Sequence, residues 1–308
     1  MILCLGTTPV YQRSMTFDRV KPDGVNRAKQ VADYASGKSL NVARVLHTLG
    51  KDPLATGFVG GSRGRMLCGD LDAAGIRHEF VTVKPETRQC ITVIDQSAGI
   101  ATELVEESAP VDEPAWQELD RKLRWLLPQS NLWIFSGTLA PGAPQDFYAR
   151  WLPLARETGA TAILDARGEP LTLALQHGNA IYKLNRDEFA GTLGTDLSDD
   201  RTLIDAIRTH TPPDGKLIIT LGKSGAIGSD ATNVWHVHSP TIQAISAVGS
   251  GDAFAAGLGA GLSDGIQLQD ALKLAAACGA ANALTPFAGH LRPEDVQRLQ
   301  EQARVESL

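Results

Sequence analysis

The sequence has few cysteines, and none of them stands in a metal-binding spacing. Only four occur in 308 residues (Cys4, Cys68, Cys90 and Cys278), and no CxxC pair is present. Each lies among mostly apolar neighbours, which is typical of reduced thiols in a protein core. This pattern argues against a disulfide framework and against a structural zinc site.

Long basic runs and long apolar runs are also missing. The formal net charge is −6, so the sequence predicts no basic face and no nucleic-acid partner. No apolar stretch reaches the length of a membrane span, and the N-terminus lacks the basic start and long apolar core of a signal peptide. We therefore expect no membrane association and, by default, a cytoplasmic location.

Several familiar nucleotide-binding, metal-binding and hydrolase motifs are incomplete or absent. The segment ASGKS at 35–39 resembles the end of a P-loop, but Ala32 stands where that motif needs glycine, and no GxGxxG follows a strand. HExxH and GxSxG are absent too. His236 and His238 alternate within a predicted strand, which favours a surface-facing pair over metal ligands.

What the sequence does have is a repeated alternation of apolar runs with amphipathic segments. Strands are predicted at 2–6, 54–60, 132–137, 161–166, 179–185 and 216–222. Helices are predicted near 39–50, 63–74, 113–127, 145–157, 199–209, 251–263, 268–284 and 293–303. Continuous apolar strands indicate a parallel sheet buried on both faces, and the alternation predicts a three-layer α/β fold.

Two segments, 12–35 and 87–106, break this alternation because they are strand-like with little helix between them. They predict a small antiparallel sheet inserted into one domain that spans residues 1–308. Such a sheet would suit a lid that excludes water while a reactive group is transferred. A plain surface hairpin is an equal alternative on pattern alone.

The most informative segment is ISAVGSGDAFAAGLGAGL at 245–262. Gly249, Ser250 and Gly251 predict a turn that opens a helix, where unpaired N–H groups and the helix dipole favour a phosphate. Asp252 lies in the first helical turn, where its carboxylate could accept the proton of an attacking hydroxyl. An ordinary helix start, in which Asp252 only stabilises the dipole, stays open at this point.

Polar residues also gather at other helix and strand ends. Ser36 and Gly37 precede a predicted helix with Asn41 in its first turn, which suits hydrogen bonds to sugar hydroxyls as well as ordinary helix capping. SGTLAPG at 136–142, LDARGE at 164–169 and KLNRDEF at 183–189 each follow a predicted strand. Because ligands bind at the carboxyl ends of parallel strands, these loops predict a shared crevice.

In this order, the segments resemble the ribokinase-like carbohydrate kinases, and within them the branch of 1-phosphofructokinase and tagatose-6-phosphate kinase. ASGKSLNVARVLHTLG is similar to the first signature of the family, SAVGSGDAFAAG to its second, and KLNRDEF to its Lys-x-Asn-x-x-Glu segment. The resemblance covers nearly the whole chain. It implies a Rossmann-like, ribokinase-type α/β fold with a small β-sheet lid that is often used for dimerisation, and hence a homodimer through the lid.

The resemblance also implies an activity, ATP-dependent phosphorylation of a hydroxyl of a sugar phosphate such as a ketohexose phosphate. Gly249, Ser250 and Gly251 would form an anion hole, and Asp252 would deprotonate the sugar hydroxyl. With the ordinary Asp pKa of about 3.9, Asp252 would be ionised at neutral pH. Mg²⁺ would be organised through water by Asn185 and Glu188, and a monovalent cation such as K⁺ would bind near 283–289.

The remaining implied contacts fall into two groups. The ATP side would be lined by Lys183, Asn185, Thr220, Gly222 and Gly225. The substrate side would be formed by Gln12, Arg27, Ser36, Gly37, Lys38, Asn41, Arg88 and Thr138. Among these, the basic residues Arg27, Lys38 and Arg88 would contact the phosphate that the substrate already carries.

The sequence departs from the family pattern at several substrate-side positions. Thr8 precedes Pro9 where the family has Asn, Gln12 aligns with a sugar-binding Asp, and Ser36 and Ser39 occupy glycine positions. Gln12 can still bond a hydroxyl but carries no charge. Two alternatives therefore stay open: a kinase for an unphosphorylated sugar or nucleoside, and a non-catalytic sugar- or nucleotide-binding regulator.

Overall fold

The computed structural model describes all of residues 1–308 and contains two β-sheets. The strands are β1 (Ile2–Gly6), β2 (Val10–Phe17), β3 (Gln30–Ser36), β4 (Pro53–Val59), β5 (Arg77–Thr82), β6 (Gln89–Asp95), β7 (Ile100–Val105), β8 (Leu132–Ser136), β9 (Thr161–Asp165), β10 (Ile181–Asn185), β11 (Lys216–Thr220), β12 (Ala226–Ser229), β13 (Val234–His238) and β14 (Arg304–Ser307). The larger sheet has ten strands in the order β14-β13-β12-β11-β10-β9-β8-β1-β4-β5.

Most of the larger sheet is parallel. Neighbouring strands from β5 to β11 all run in the same direction, whereas β12, β13 and β14 extend the β11 edge as antiparallel strands. In β1, Ile2 and Cys4 face one apolar core while Leu3 and Leu5 face the other. The six strands predicted from apolar runs are confirmed, because burial on both faces requires such runs.

The helices are α1 (Lys38–Thr48), α2 (Gly61–Ala73), α3 (Glu113–Leu126), α4 (Leu152–Thr158), α5 (Glu169–Leu175), α6 (Arg186–Leu193), α7 (Asp200–His210), α8 (Ser250–Ser263), α9 (Leu268–Ala283) and α10 (Pro293–Gln300). Side chains of α1, α2, α8, α9 and α10 share one core with the sheet, and those of α3 to α7 share the other. The predicted three-layer α/β fold is confirmed. No helix has the combination of length and apolar character that crossing a membrane requires.

The second sheet has four strands in the order β3-β2-β6-β7 and forms the lid. Strands β6 and β7 fall within the predicted segment 87–106, whereas β2 and β3 extend one or two residues beyond the predicted 12–35, from Val10 to Ser36. One expectation was wrong, because the sheet is mixed: β2 pairs with β3 in antiparallel fashion but with β6 in parallel fashion. Both β2 and β6 follow a parallel strand of the main sheet, β1 and β5, so they leave the same edge in the same direction.

Other differences concern short elements. The predicted helix at 145–157 is a 3-10 turn at Ala149–Trp151 followed by α4, where Pro153 favours the first turn of a helix. The sequence analysis did not predict β5, β12, β14, α5 or α6, whose lengths run from four to eight residues. All four cysteines are free, and Cys4, Cys90 and Cys278 are buried as expected.

Candidate active site

A cavity lies between the lid and the carboxyl ends of the parallel strands. Its wall is formed by lid strands β2, β6 and β7, the start of α1, the ends of β10 and β11, and the turn before α8. Most of the predicted site residues meet there: Gln12, Ser36, Gly37, Lys38, Asn41, Arg88, Lys183, Asn185, Glu188, Thr220, Gly222, Gly249, Ser250, Gly251 and Asp252.

Three predicted residues lie elsewhere. Gly225 lines an adjoining pocket that shares Thr220 and Gly222 with the cavity. Thr138 lines a neighbouring cavity, where its carbonyl accepts a hydrogen bond from the Thr8 hydroxyl at 3.1 Å. Arg27 is exposed in the loop between β2 and β3 and does not line the cavity.

The adjoining pocket continues from the cavity past the start of α8. Besides Gly225 and the 220–222 segment, it is lined by small and apolar side chains of α8 and α9, among them Phe254, Ala276 and Ala280. Two connected compartments of this kind, one polar and one largely apolar, suit two substrates that meet at the shared turn.

The turn before α8 carries N–H groups that the fold leaves free. Gly249 has the left-handed conformation, with φ of 81°, and caps the helix. The Ser250 N–H donates to the Ala247 carbonyl at 3.1 Å, whereas the N–H groups of Gly249, Gly251 and Asp252 have no acceptor within the chain. These free donors, at the positive end of a helix dipole, form a cradle for an anion.

Asp252 is buried and makes one side-chain hydrogen bond, which it accepts from the Asn41 amide at 2.7 Å. The Asn41 carbonyl in turn accepts from the Ser36 hydroxyl at 2.9 Å. Burial raises the pKa of Asp252 to about 6, although Lys38 and the Asn41 hydrogen bond act in the opposite direction. The pKa of Asp252 therefore lies above the ordinary value of about 3.9, because the sequence did not reveal this burial, but the carboxyl is still mostly ionised at neutral pH as expected.

A buried ion-pair network lies beside the turn. Asp165, at the end of β9, accepts from Lys183 at 2.6 Å and from Lys38 at 2.7 Å. Burial alone would raise the pKa of Asp165, but Lys183 and Lys38 outweigh it and hold that pKa below its ordinary value. Burial likewise opposes the charge of Lys38, but the surrounding carboxylates, Asp165 first, raise its pKa.

The sequence placed Asp165 among the polar residues expected at the shared crevice, but no role in the site was predicted for it. Its position after an apolar strand was the available indication. The sequence did not reveal that Asp165 pairs with Lys38 of α1 and Lys183 of β10. These lysines lie 127 and 18 residues away from Asp165 in the chain.

At the start of α6, Asn185 and Glu188 cap each other. The Asn185 side-chain oxygen accepts from the Glu188 N–H at 2.8 Å, and the Glu188 carboxylate accepts from the Asn185 N–H at 3.0 Å. The second Glu188 oxygen accepts from Lys38 at 3.2 Å. Both side chains thus present oxygen atoms to the cavity from a fixed position.

The lid supplies the opposite wall. Gln12 is buried and donates to the Thr92 hydroxyl at 2.9 Å, so its amide is held within the lid sheet. Arg88 donates to the Thr8 carbonyl at 3.1 Å and keeps one buried N–H, at Nε, without a partner. Four further lid residues of this wall were not predicted from the sequence, and they are Val10, Cys90, Glu103 and Val105.

A free anion cradle, a buried carboxylate beside it and flanking lysines can together hold a transferring phosphoryl group and accept a proton. The family model described as "pfkB family carbohydrate kinase" matches residues 1–294. The chain belongs to the pfkB family of carbohydrate kinases. It is therefore a phosphotransferase that uses ATP and an alcohol group of a carbohydrate.

Individual relatives of this pfkB kinase agree with the assignment. Tagatose-6-phosphate kinase from Staphylococcus epidermidis is 32% identical over 309 residues, which cover 99% of each chain. The crystal structures of phosphofructokinase-2 from Escherichia coli in complex with potassium, and with substrates and products, are each 24% identical. Their TM-scores are 0.88 and 0.89 with 98% of each chain covered, which shows that the fold is shared.

Proposed function

We propose that this pfkB kinase transfers the γ-phosphoryl group of ATP to a hydroxyl of a sugar phosphate, specifically a ketohexose phosphate. The observation that carries the proposal is the buried Asp252 carboxylate beside the free N–H groups of its own turn, inside a lid-covered cavity. The 32% identity to tagatose-6-phosphate kinase over 99% of each chain supports a phosphorylated substrate.

In the proposed mechanism, Asp252 orients the substrate hydroxyl and accepts its proton. Asn41 holds one carboxylate oxygen of Asp252, which leaves the other oxygen for that hydroxyl. As the hydroxyl oxygen bonds to the γ-phosphorus, the bond to the β–γ bridging oxygen breaks and ADP leaves. The free N–H groups of Gly249 and Gly251, the predicted anion hole with Ser250, would stabilise the charge of the transferring group.

The nucleotide would extend from the turn into the adjoining pocket along Thr220, Gly222 and Gly225. Lys183 would contribute positive charge near the phosphates, since a Cβ added at Gly251 would lie 3.1 Å from its Nζ. The opposite compartment, with Gln12, Ser36, Gly37 and Asn41, would hold the sugar hydroxyls, with Thr138 at its margin.

Asn185 and Glu188 are the residues that would hold Mg²⁺. Their amide and carboxylate oxygens are ligands that Mg²⁺ accepts, and Mg²⁺ commonly keeps several waters. Because each side chain is already engaged in the mutual cap, contact through water fits these residues better than direct coordination. Bound there, the ion would neutralise phosphate charge.

The existing phosphate of the substrate would be bound by basic side chains. Arg88 supports this most directly, because it lines the cavity and keeps an unpartnered buried N–H. Lys38 is already held by Asp165 and Glu188, so its contact would require an exchange of partners. Arg27 would reach the site only through movement of its exposed loop or from a second copy of the chain.

Further parts of the proposal are the single kinase domain over residues 1–308, its homodimer through the lid and a K⁺ ion near 283–289. A crystal structure of Escherichia coli phosphofructokinase-2 in complex with potassium, 24% identical, motivates the last of these. Replacing K⁺ by tetramethylammonium in the assay should lower turnover if that ion binds. The cytoplasmic location stays a prediction of the sequence.

Asp252→Asn tests the catalytic assignment. We expect turnover of MgATP with a sugar phosphate to fall about 10²–10⁴-fold, the usual contribution of a general base. ATP binding measured by calorimetry and the circular dichroism spectrum should stay unchanged, because the amide is isosteric. A coupled ADP-release assay measures the loss.

Asp264→Asn is the matched control, since Asp264 caps the other end of α8 and pairs with Lys51 on the surface. It should retain full turnover. Near wild-type activity of Asp252→Asn would show that Asp252 is not the base of the reaction. If the wild-type protein bound sugar but showed no turnover, the non-catalytic alternative would be favoured.

Arg88→Ala separates phosphorylated from neutral substrates. Loss of a charge-assisted contact of about 1.5–3 kcal/mol should lower kcat/KM for the phosphorylated sugar by about 10–150-fold. Fructose 1-phosphate, fructose 6-phosphate, tagatose 6-phosphate and free fructose should be compared in one assay. An equal effect on free fructose would argue against a phosphate contact and for the unphosphorylated-sugar alternative.

A further inference from the structure

A second cluster of polar side chains lies at the antiparallel edge of the main sheet, on β13 and β14. His236 and His238 are two residues apart on β13, so both point to the same face of the sheet. Glu306 of β14 stands directly opposite His236 in the strand register. The intervening Val237 is buried on the other face, which leaves the three polar side chains together on this one.

The three side chains converge on one point. His238 Nε2 lies 2.9 Å from Glu306 Oε1, and His236 Nδ1 lies 3.8 Å from the same oxygen. One ligand atom from each residue falls within 4.8 Å of the others. Four-coordinate zinc with bonds of 2.0–2.2 Å separates its ligand atoms by about 3.4 Å. The observed separations bracket this value. Metal binding would replace the hydrogen bond that His238 Nε2 donates to Glu306 and would release its proton, as is usual for histidine ligands.

The orientation of His236 is also fixed in the way metal ligands usually are. Its Nε2 lies 2.9 Å from the Ser224 carbonyl, which can only accept a hydrogen bond. Nε2 therefore carries the proton, and Nδ1 keeps its lone pair toward His238 and Glu306. Histidine ligands in proteins commonly donate the second ring N–H to a backbone carbonyl or carboxylate, which sets tautomer and ring orientation.

We propose that His236, His238 and Glu306 form a binding site for a zinc-like transition-metal ion, with the fourth position open to water. Two imidazoles and one carboxylate suit Zn²⁺ or Co²⁺, whereas Mg²⁺ prefers oxygen ligands alone. The site uses none of the donors proposed for Mg²⁺. It revises the interpretation of the histidines as a plain surface pair, because the third ligand comes from β14, a strand that the sequence analysis did not predict.

Bound metal would add a link between elements that are already neighbours in the sheet. Through Glu306 the metal would link the edge strand β14 to β13. Through His236, which is hydrogen-bonded to the Ser224 carbonyl, it would also stabilise the position of Ser224. Ser224 lies in the 222–224 turn that lines the pocket proposed for the nucleotide. The site is therefore placed to stabilise the carboxyl-terminal edge of the sheet.

The test is a titration of the metal-free full chain with Co²⁺, followed by displacement with Zn²⁺, in excess Mg²⁺ and without nucleotide. Cys68→Ser serves as the background, since Cys68 is the one cysteine that is not buried. We expect one equivalent per chain with the visible absorption of four-coordinate Co²⁺. His238→Gln and Glu306→Gln should each weaken binding by more than about 100-fold, beyond the 10–100-fold typical of outer-shell changes.

His78→Gln is the matched control, because His78 also pairs with a surface carboxylate, Asp72 at 3.1 Å, but has no third ligand. It should bind Co²⁺ like the background protein. Equal-affinity binding in His238→Gln, or no stoichiometric uptake by the background protein, would overturn the proposal. A thermal shift with Zn²⁺, absent in Glu306→Gln, gives a second readout that is independent of kinase activity.

Discussion

Asp252 combines two properties that oppose each other, since its carboxylate is buried and must be charged to act as a base. Its pKa of about 6 in the folded chain lies above the ordinary 3.8. When folding raises the pKa of a carboxyl group, the folded chain favours the protonated form of that group. The free energy of unfolding is therefore lower at pH values above both the folded and the unfolded pKa. The proposed catalytic base is thus expected to lower the stability of the fold at neutral pH.

This difference predicts that Asp252→Asn is more stable than the wild type at neutral pH. The shift from 3.8 to about 6 corresponds to at most about 3 kcal/mol, at 1.36 kcal/mol per pKa unit. The gain should be complete above pH 6 and should disappear as the pH falls from about 6 to about 4, where the wild-type carboxyl is protonated in the folded chain. Urea unfolding of both proteins across this range measures it.

A stability difference that is the same at pH 4.5 and pH 8 would contradict this account. Asp264→Asn again serves as the control, because Asp264 is exposed at the far end of α8 and its removal cannot relieve a buried charge.

Ser36 shows how a departure from the family pattern can be accommodated. The resemblance noted in the sequence predicts glycine at this position, whereas the Ser36 hydroxyl donates to the Asn41 side-chain carbonyl at 2.9 Å. This bond fixes the Asn41 amide so that its NH₂ group faces Asp252. Serine at this position therefore supports the geometry of the Asp252 carboxylate, the proposed catalytic base, instead of disrupting it.

At the scale of elements, the start of α8 depends on a glycine that no other residue can replace. Gly249 has φ of 81°, and a Cβ added there would lie 2.7 Å from the Ala288 Cβ. Any side chain would meet both the left-handed strain and this contact. The packing of the 283–289 loop against the turn therefore fixes the direction of the free N–H groups.

We predict that Gly249→Ala lowers turnover strongly. It should also destabilise the fold by more than the cost of placing alanine in the left-handed conformation, which is about 1–2 kcal/mol. Gly265→Ala, just beyond the other end of α8, is the matched control: φ there is 73°, but nothing lies within 4 Å of an added Cβ. It should show only the conformational cost, with unchanged turnover. Urea unfolding and the ADP-release assay compare the two, and equal effects would argue against the contact with Ala288.

In the whole molecule, apolar side chains are exposed on the outer surface of the lid. Val31, Ile100 and Leu104 are about half exposed, at 50%, 55% and 54%. Leu104 alternates with Val105, which lines the cavity, so Leu104 points away from it. Exposed apolar groups on a sheet of this size indicate an interface, which supports the proposed homodimer through the lid.

Leu104→Glu should convert that dimer to a monomer, because a desolvated carboxylate at an apolar interface is costly. Light scattering coupled to size-exclusion chromatography measures the mass. Trp125→Glu is the matched control, since Trp125 is 62% exposed on α3, away from the lid. A monomeric wild-type chain, or a Leu104→Glu variant with the wild-type mass, would contradict an interface on the lid.

The α/β layers, the lid segments and the turn that carries Asp252 could be read from the amino-acid sequence alone. Those features follow from periodicity and from glycine and aspartate spacing, which neighbouring residues along the chain define. The parallel pairing of β2 with β6, the two lysines around Asp165 and the Asn41–Asp252 bond were decided only by tertiary structure. That bond joins residues 211 positions apart. Contacts of this kind depend on the order in which strands are arranged in the sheets. The burial that raises the pKa of Asp252 also arises only from that arrangement.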